Sequence, residues 1–343
     1  MNKRSFHPTE IIFAATNACN LHCKHCFIER NPHKLQISDA IALLENCVQN
    51  AGKTDNNGHI LPTIEKIGFS GGEPFLYMDF LLEVTKAAVS QNLLFDQIMT
   101  NGDWWNSQND LFEKLTALYN AGYDGKIGLS WDSYHAQKKE RMKTFIKAVQ
   151  EVFGNDSINI QTVDDTGGES LPLAPKPSRS TNRSCEQDDS LRFVGLSATP
   201  SEGGKPASLV IPATPPNIPV YHLPRTYTSE NPCAWQSSKW FREDYCEGPG
   251  HILYVHANGN IAPCCGFANE NKELFIGRIT DSLETIMQNA SKNPLIKICF
   301  QQGLSHFRRH ELKKMLRAKK EKLPGRTNDI CTFCDYVCKN CTK

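Results

Sequence analysis

The strongest constraint on the fold is an alternation of strand-like and helix-like segments from residue 10 to about residue 164. Strands are expected at EIIFAAT, IEKIGFS, LLFDQIMT, KIGLSW and SINIQTV, short apolar runs rich in β-branched and aromatic residues. Amphipathic stretches separate them. One starts at Ser38, read as an N-cap, with Ile41, Leu44, Cys47 and Val48 at helical spacing. The others are YMDFLLEVTKAAVSQ, DLFEKLTALYNAG, which stops at Gly122, and a long helix from about Tyr134 to Phe153. Repeated βα units imply a parallel sheet with right-handed crossovers, whose chemistry gathers beyond the C-terminal ends of the strands. Four polar clusters obey that rule. CNLHCKHC follows the first strand, SGGEP (Ser70–Pro74) the second, TNG (Thr100–Gly102) the third and SWDSYH (Ser130–His135) the fourth.

The pattern breaks after residue 164. Residues 165–217, rich in Pro, Ser, Thr and Gly, read as a long irregular insertion, with LRFVGLS and IPVYHL as candidate short strands. From about residue 233, CEGPGHILYVHANGNIAPCCGF reads as a β-hairpin that reverses at Asn258-Gly259. DSLETIMQNASKN reads as a helix with Asp281 or Ser282 near its N-cap. A basic helix runs through HELKKMLRAKKEKL to Pro324. Its stripe of Leu312, Met315 and Leu316 opposes a solvated face that includes Arg308, Arg309, Lys313, Lys314 and Arg317. The expected fold class is α/β: a partial (β/α)6 TIM-like barrel over 1–232, followed by a smaller C-terminal α+β domain over 233–343.

Composition bears on the cysteines. The chain has 343 residues, a net charge of +1 and no apolar run long enough to span a bilayer. It opens MNKRSF with no apolar stretch behind it, so a cytoplasmic location is expected. In a reducing compartment its 14 cysteines read as metal ligands more readily than as disulfides. Cys47, Cys185 and Cys299 stand alone in the sequence and read as small core residues or inert thiols. Cys19, Cys23 and Cys26 share one short loop. Three thiolates hold three corners of a cubane iron–sulfur cluster and leave one iron open. From the thiols alone, a Cys₃His zinc site completed by His22 or His25 also stays open.

CNLHCKHC, together with GGEP at the end of the next strand, resembles the radical S-adenosylmethionine (AdoMet) superfamily as far as about residue 164. The resemblance implies a four-iron four-sulfur cluster on Cys19, Cys23 and Cys26, with AdoMet chelating the open iron. It implies that Gly71, Gly72, Glu73 and Pro74 bind the methionyl amino group, with Glu73 accepting from the ammonium. His25 stands where the family usually has an aromatic residue, its backbone against the adenine. Thr100, Asn101, Ser130 and Asp132 resemble, by position, contacts to the carboxylate and ribose. SINIQTVDD departs from the family's Gly-x-Ile-x-Gly-x-x-Glu stretch. One electron from the cluster would cleave AdoMet to methionine and a 5′-deoxyadenosyl radical, which takes hydrogen from a substrate.

Cys246, Gly259 and Cys264 are similar in spacing to the start of a SPASM or twitch auxiliary-cluster domain. The tail Cys331, Cys334, Cys338 and Cys341 resembles its distal ligand set, with narrower gaps. Cys233 and Cys265 are further candidates. A cluster takes four ligands, so the resemblance implies at least one auxiliary cluster, with zinc as the alternative for the tail. The implied substrate is a peptide or protein undergoing ribosomal-peptide-type modification. Alternatives are a small molecule of cofactor, sugar or natural-product biosynthesis, or a non-catalytic metal-binding scaffold. Expected partners are an electron donor such as flavodoxin or ferredoxin and a separate peptide-recognition protein, since strand one opens the chain almost directly; no membrane or nucleic-acid partner is expected. Tyr134, His135 and Asp244 are candidate proton acceptors, and Trp104 or Trp105 either line a substrate channel or pack under a helix.

Overall fold

The computed structural model describes residues 6–23, 25–164, 218–242 and 249–341. LRFVGLS, Cys185, Asp244 and Cys246 lie outside the described residues. Six strands run parallel: β1 (Glu10–Ala14), β2 (Lys66–Ser70), β3 (Leu94–Thr100), β4 (Lys126–Ser130), β5 (Ile158–Asp164) and β6 (Val220–Pro224). Each pairs with its sequence neighbour. A doubly wound sheet reverses its order at a switch point; this one never does. Successive right-handed crossovers therefore place α1 (Ile37–Asn50), α2 (Met78–Ser90), α3 (Gln108–Asn120) and α4 (Lys139–Phe153) on one side and leave the other as a lumen. β1 and β6 do not pair, so the barrel is partial. IPVYHL supplies the sixth strand.

The strands alternate accordingly. Ile11, Phe13, Ile67, Phe69, Ile98, Ile127, Leu129, Ile158 and Ile160 are buried in the main core with Leu43, Leu44, Phe80, Leu81, Leu115, Phe145 and Val149 of the helices. The alternate positions carry Glu10, Ile12, Lys66, Gly68, Ser70 and Ser130, which line a cavity instead. Full burial of one aliphatic or aromatic side chain is worth about 1.5–3 kcal/mol, so the helix side holds the fold and the lumen side is left for function.

The expected C-terminal hairpin is present as β7 (Ile252–Val255) and β8 (Asn260–Ala262), antiparallel, with Gly259 at φ +83° in the reversal. β9 (Gly277–Arg278) follows. β7 pairs parallel to β1 on the side away from β2, so the C-terminal segment continues the barrel's own sheet, nine-stranded among the described residues. α5 (Leu283–Lys292) begins at Ser282, whose side chain accepts from Thr285 N.

Four local expectations change. α1 starts at Ile37 with Gln36 as a side-chain-free cap, so Ser38 lies inside the helix. α4 starts only at Lys139, because the Asp132 carboxylate accepts from Tyr134 N and His135 N and holds that segment in a turn. The basic helix spans 304–319 with wide turns of π type and ends at left-handed Lys320; Arg308, expected in solvent, stacks on Trp240 at 4.2 Å. The cysteine-rich tail is itself a helix, Ile330–Cys341. No described helix is long and apolar enough to cross a membrane.

Candidate functional site

The loop after β1 is tied down before the cysteines arrive. Thr16 donates through its hydroxyl to His33 O and accepts from Ala18 N, both at 3.0 Å. Cys19, Cys23 and Cys26 then come together, half-buried, on the wall of a cavity of about 370 Å³. Cys19 Sγ accepts from Leu21 N at 3.4 Å and Asn101 Nδ2 at 3.6 Å. Burial pushes the Cys23 thiol up to about 12, with Cys26 and Cys19 adding to it, and burial raises Cys19 as well. Without a counter-charge Cys19 and Cys23 stay protonated. A multivalent cation reverses that balance and binds them as thiolates. The donor set fits an iron–sulfur cluster with one position unfilled by protein.

The Gly71-Gly72 pair presses against that loop. A Cβ on Gly71 would stand 2.5 Å from Thr16 O, and one on Gly72 2.3 Å from Ala18 O. Gly72 N donates to Thr16 O at 2.6 Å and Glu73 N to Ala18 O at 2.9 Å. The glycines are thus needed for loop-on-loop contact, whatever else approaches them. Glu73 is 0 % exposed. Its carboxylate accepts from Thr100 Oγ1 (2.8 Å), Phe75 N (3.1 Å) and Asn101 N (2.8 Å). Burial raises its pKa to about 7 against the pull of these bonds. Glu73 ties the ends of β2 and β3 together and, like Pro74, does not line the cavity; Ser70, Gly71 and Gly72 do.

Thr100, Asn101, Ser130 and His25 also line the cavity. Asp132 does not. It receives His135 Nδ1 at 2.7 Å and Val163 N at 3.3 Å in addition to its turn. His25 packs edge-on against His135 and Tyr134, at 4.7 and 5.0 Å between ring centres, and burial pushes its pKa down to about 4. It is a neutral ring at physiological pH. His135 lines the cavity; the Tyr134 hydroxyl accepts from Arg225. Trp104 stacks on Phe75 at 4.4 Å and Trp105 lies under Arg141 at 3.7 Å, so both pack and neither lines the cavity.

Sequence reasoning missed the deeper end of the cavity. Lys66 Nζ pairs with Glu10 Oε2 at 3.1 Å and Asp96 Oδ1 at 3.0 Å, and all three line it with Gln97 and Gly68. Glu10 Oε1 is buried with no hydrogen-bond partner. Burial, then Asp96, pushes Glu10 up to about 7 against the attraction of Lys66. The available clue was a charge at the first position of two adjacent buried strands. Tyr254, Cys265, Phe267, Asn269 and Glu270 form a wall contributed by the C-terminal segment.

A second thiol group lies beyond that wall. Cys264, Cys331, Cys334 and Cys338 are buried and face one another. Cys331, Cys334 and Cys338 recur at helical spacing along one side of Ile330–Cys341. Cys299, expected to be an inert core thiol, joins them: its Sγ lies 3.6 Å from Cys334 Sγ. Cys334 is held below the ordinary thiol range because Cys299 and Cys338 donate to it. Cys341 stands apart, half-buried near Lys319. Cys265 faces the first cavity. Cys233 is disulfide-bonded, and a sulfur in a disulfide offers no thiolate until it is reduced. Phe27, next to Cys26, stacks on Phe267 at 4.7 Å, and both pack against Cys331.

Residues 11–145 match the family model of a 4Fe-4S single cluster domain. The chain is 23% identical over 332 residues to "Putative peptide biosynthesis protein YydG" of Bacillus subtilis (strain 168), covering 95% of this chain and 90% of that one. It is 29% identical over 156 residues to "GTP 3',8-cyclase" of Chlorobaculum tepidum, covering 43% and 42%. Among solved structures, BtrN in complex with AdoMet and 2-DOIA aligns at 14% identity over 95% of each chain, TM-score 0.47. Streptococcus suis SuiB bound to precursor peptide SuiA aligns at 13% identity over 96% of this chain and 76% of that one, TM-score 0.43. Structural likenesses this slight carry no weight. The match to the 4Fe-4S single cluster domain spans the thiol loop and the ends of β1 to β4 that surround it, and the structure gathers Cys19, Cys23, Cys26, Gly71, Gly72, Thr100, Asn101 and Ser130 on one cavity.

Proposed function

We propose that this chain is a radical AdoMet enzyme that abstracts hydrogen from a peptide, in the manner of ribosomal peptide maturation. One observation carries the reading: the three thiols of a single loop and the Gly71-Gly72 backbone face the same cavity. When bound, a reduced four-iron cluster supplies the electron that splits the AdoMet sulfonium and yields the abstracting radical. Cys19, Cys23 and Cys26 hold that cluster through three irons. Ser70, Gly71 and Gly72 present the backbone wall for the methionyl end. Neutral His25, Asn101 and Ser130 flank the nucleoside. Asn101 also donates to Cys19 Sγ, fixing that sulfur's orientation. Tyr254 and Phe267 screen the cavity from water on the C-terminal side.

Two observations support a peptide substrate. The relative aligned along 95% of this chain is named for peptide biosynthesis. The deeper cavity also offers Glu10, Lys66, Asp96 and Gln97, donors and acceptors that suit the amides of an extended chain. Under the same reading, 1–232 is the barrel and 233–343 an auxiliary domain, whose thiols hold an iron–sulfur cluster. Flavodoxin or ferredoxin supplies electrons, and a separate protein delivers the peptide. The test is anaerobic reconstitution with iron and sulfide, reduction, and addition of AdoMet. 5′-Deoxyadenosine release is expected, rising with a cognate precursor peptide. No release refutes the enzyme. Release that rises only with a small molecule refutes the peptide.

A further inference from the structure

We propose that the barrel lumen receives a cationic side chain of the substrate peptide, an ammonium or guanidinium, and holds it on Glu10 and Asp96. The proposal rests on the peptide reading and adds to it the kind of residue the cavity selects. Lys66 Nζ is shared between Glu10 Oε2 at 3.1 Å and Asp96 Oδ1 at 3.0 Å. One ammonium thus faces two carboxylates, and a second cation completes the balance. Glu10 is 6 % exposed and lines the cavity, and its Oε1 has no hydrogen-bond partner among the described residues. A buried acceptor left unpaired is costly, so the site favours a ligand that brings donors.

The lumen is hollowed at this level. β3 carries one residue more than β2 there: Ile67 pairs with Phe95, but Phe69 pairs with Ile98. Gly68 therefore stands opposite both Asp96 and Gln97. A regular strand sends sequence neighbours to opposite sides; the bulge turns these two onto one cavity. Gly68 keeps the space open, since a Cβ on it would stand 3.2 Å from Gln97 O and 3.4 Å from Glu10 Oε1. Gln97 Oε1 accepts from Asn159 Nδ2 at 3.3 Å and Gln161 Nε2 at 3.5 Å. That leaves Asn159 Oδ1 and Gln161 Oε1 buried and, like Glu10 Oε1, without a donor among the described residues. An ammonium or a guanidinium carries several N–H donors and no acceptor, which matches this surplus. Depth selects length as well. Glu10 opens β1 and the thiol loop follows Ala14, about 13 Å away at about 3.3 Å per residue. A long basic side chain reaches the floor while its backbone stays nearer the thiols.

The test uses the full chain, anaerobically reconstituted and saturated with AdoMet, at about pH 8, where Glu10 is ionised. The probes are the N-acetyl methylamides of lysine and arginine, set against those of norleucine and citrulline, which are neutral and of like shape. Binding is read by calorimetry. The cations should bind at least about tenfold more tightly than their neutral counterparts. Glu10→Gln should erase that preference, because Lys66 then neutralises Asp96. Lys66→Met should raise it about threefold or more, because a competing cation has gone. Were Lys66 only a brace between strands, its removal would weaken binding instead. Equal binding of charged and neutral probes, or binding of neither, overturns the proposal, as does an undiminished preference in Glu10→Gln. So does weaker cation binding in a Lys66→Met protein that keeps the wild-type circular dichroism spectrum. Absence of 5′-deoxyadenosine from the wild-type protein is a separate failure: it refutes the enzyme and leaves calorimetry to decide the cation site.

Discussion

The two thiol groups of this molecule differ in number, burial and surroundings. At the mouth of the barrel, Cys19, Cys23 and Cys26 share one loop, are half-buried and face a cavity. In the C-terminal segment, Cys264, Cys299 and the helix-borne Cys331, Cys334 and Cys338 are buried and do not line that cavity. Under the proposed function, three accessible thiols leave an iron open for AdoMet, whereas the enclosed group offers thiols enough to fill a cluster. On that reading chemistry belongs to the first group, and electron carriage or bracing to the second. Phe27 and Phe267 pack between them against Cys331, so the two groups share a wall.

The largest effect should come from removing one group at a time. Replacing Cys19, Cys23 and Cys26 by Ala should abolish 5′-deoxyadenosine formation completely and leave C-terminal iron in place. Cys334→Ala should do the reverse to the iron, and AdoMet should still perturb the remaining cluster. Loss of both iron pools in either variant, measured by iron analysis and EPR, would break the division.

Next comes the clamp on the first group. Gly72→Ala drives a Cβ to 2.3 Å from Ala18 O, backbone that cannot swing away. We expect about 3 kcal/mol of destabilisation in denaturant unfolding, with N-terminal iron lost before C-terminal iron.

A smaller effect concerns the deeper cavity. The folded Glu10 carboxyl holds its proton up to about pH 7, whereas its ordinary value is 4.5. Between those values the folded state binds more protons than the unfolded one, so Glu10 lowers stability as pH rises through that window. Glu10→Gln removes this dependence. The variant should gain about 1–3 kcal/mol on wild type between pH 4.5 and 7.5, read from thermal melts of metal-free protein. A constant difference across pH would locate the titration elsewhere.

The smallest effect is at Asn101. Asn101→Ala removes the Nδ2 donor to Cys19 Sγ and should shift the N-terminal cluster to a more negative potential, leaving the C-terminal one unmoved in a redox titration followed by EPR.

Much of this was legible in the sequence, for physical reasons. Strands buried on their helix side declare themselves as apolar runs, and thiols that share one loop declare their proximity when they are neighbours in sequence. The lumen was less visible, because Glu10 and Lys66 sit at strand starts, where a charge looks like the edge of an element. GGEP stood out in the sequence as a candidate site motif, and the structure adds contacts within the protein that the motif did not announce. Its glycines admit the thiol loop, and Glu73 braces β2 against β3. The C-terminal helix was hidden by its own cysteines, although spacings of three, four and three are a helix face. Cys299 carried no clue at all, since only the fold brings residue 299 beside residue 334.

The most direct test is EPR of the anaerobically reduced protein, recorded with and without AdoMet, for wild type and for the Cys19/Cys23/Cys26 alanine variant. The account predicts that AdoMet alters one component of the wild-type signal and that this component is absent from the variant, whose remaining signal ignores AdoMet. A wild-type spectrum indifferent to AdoMet, or an AdoMet response that survives in the variant, would contradict it.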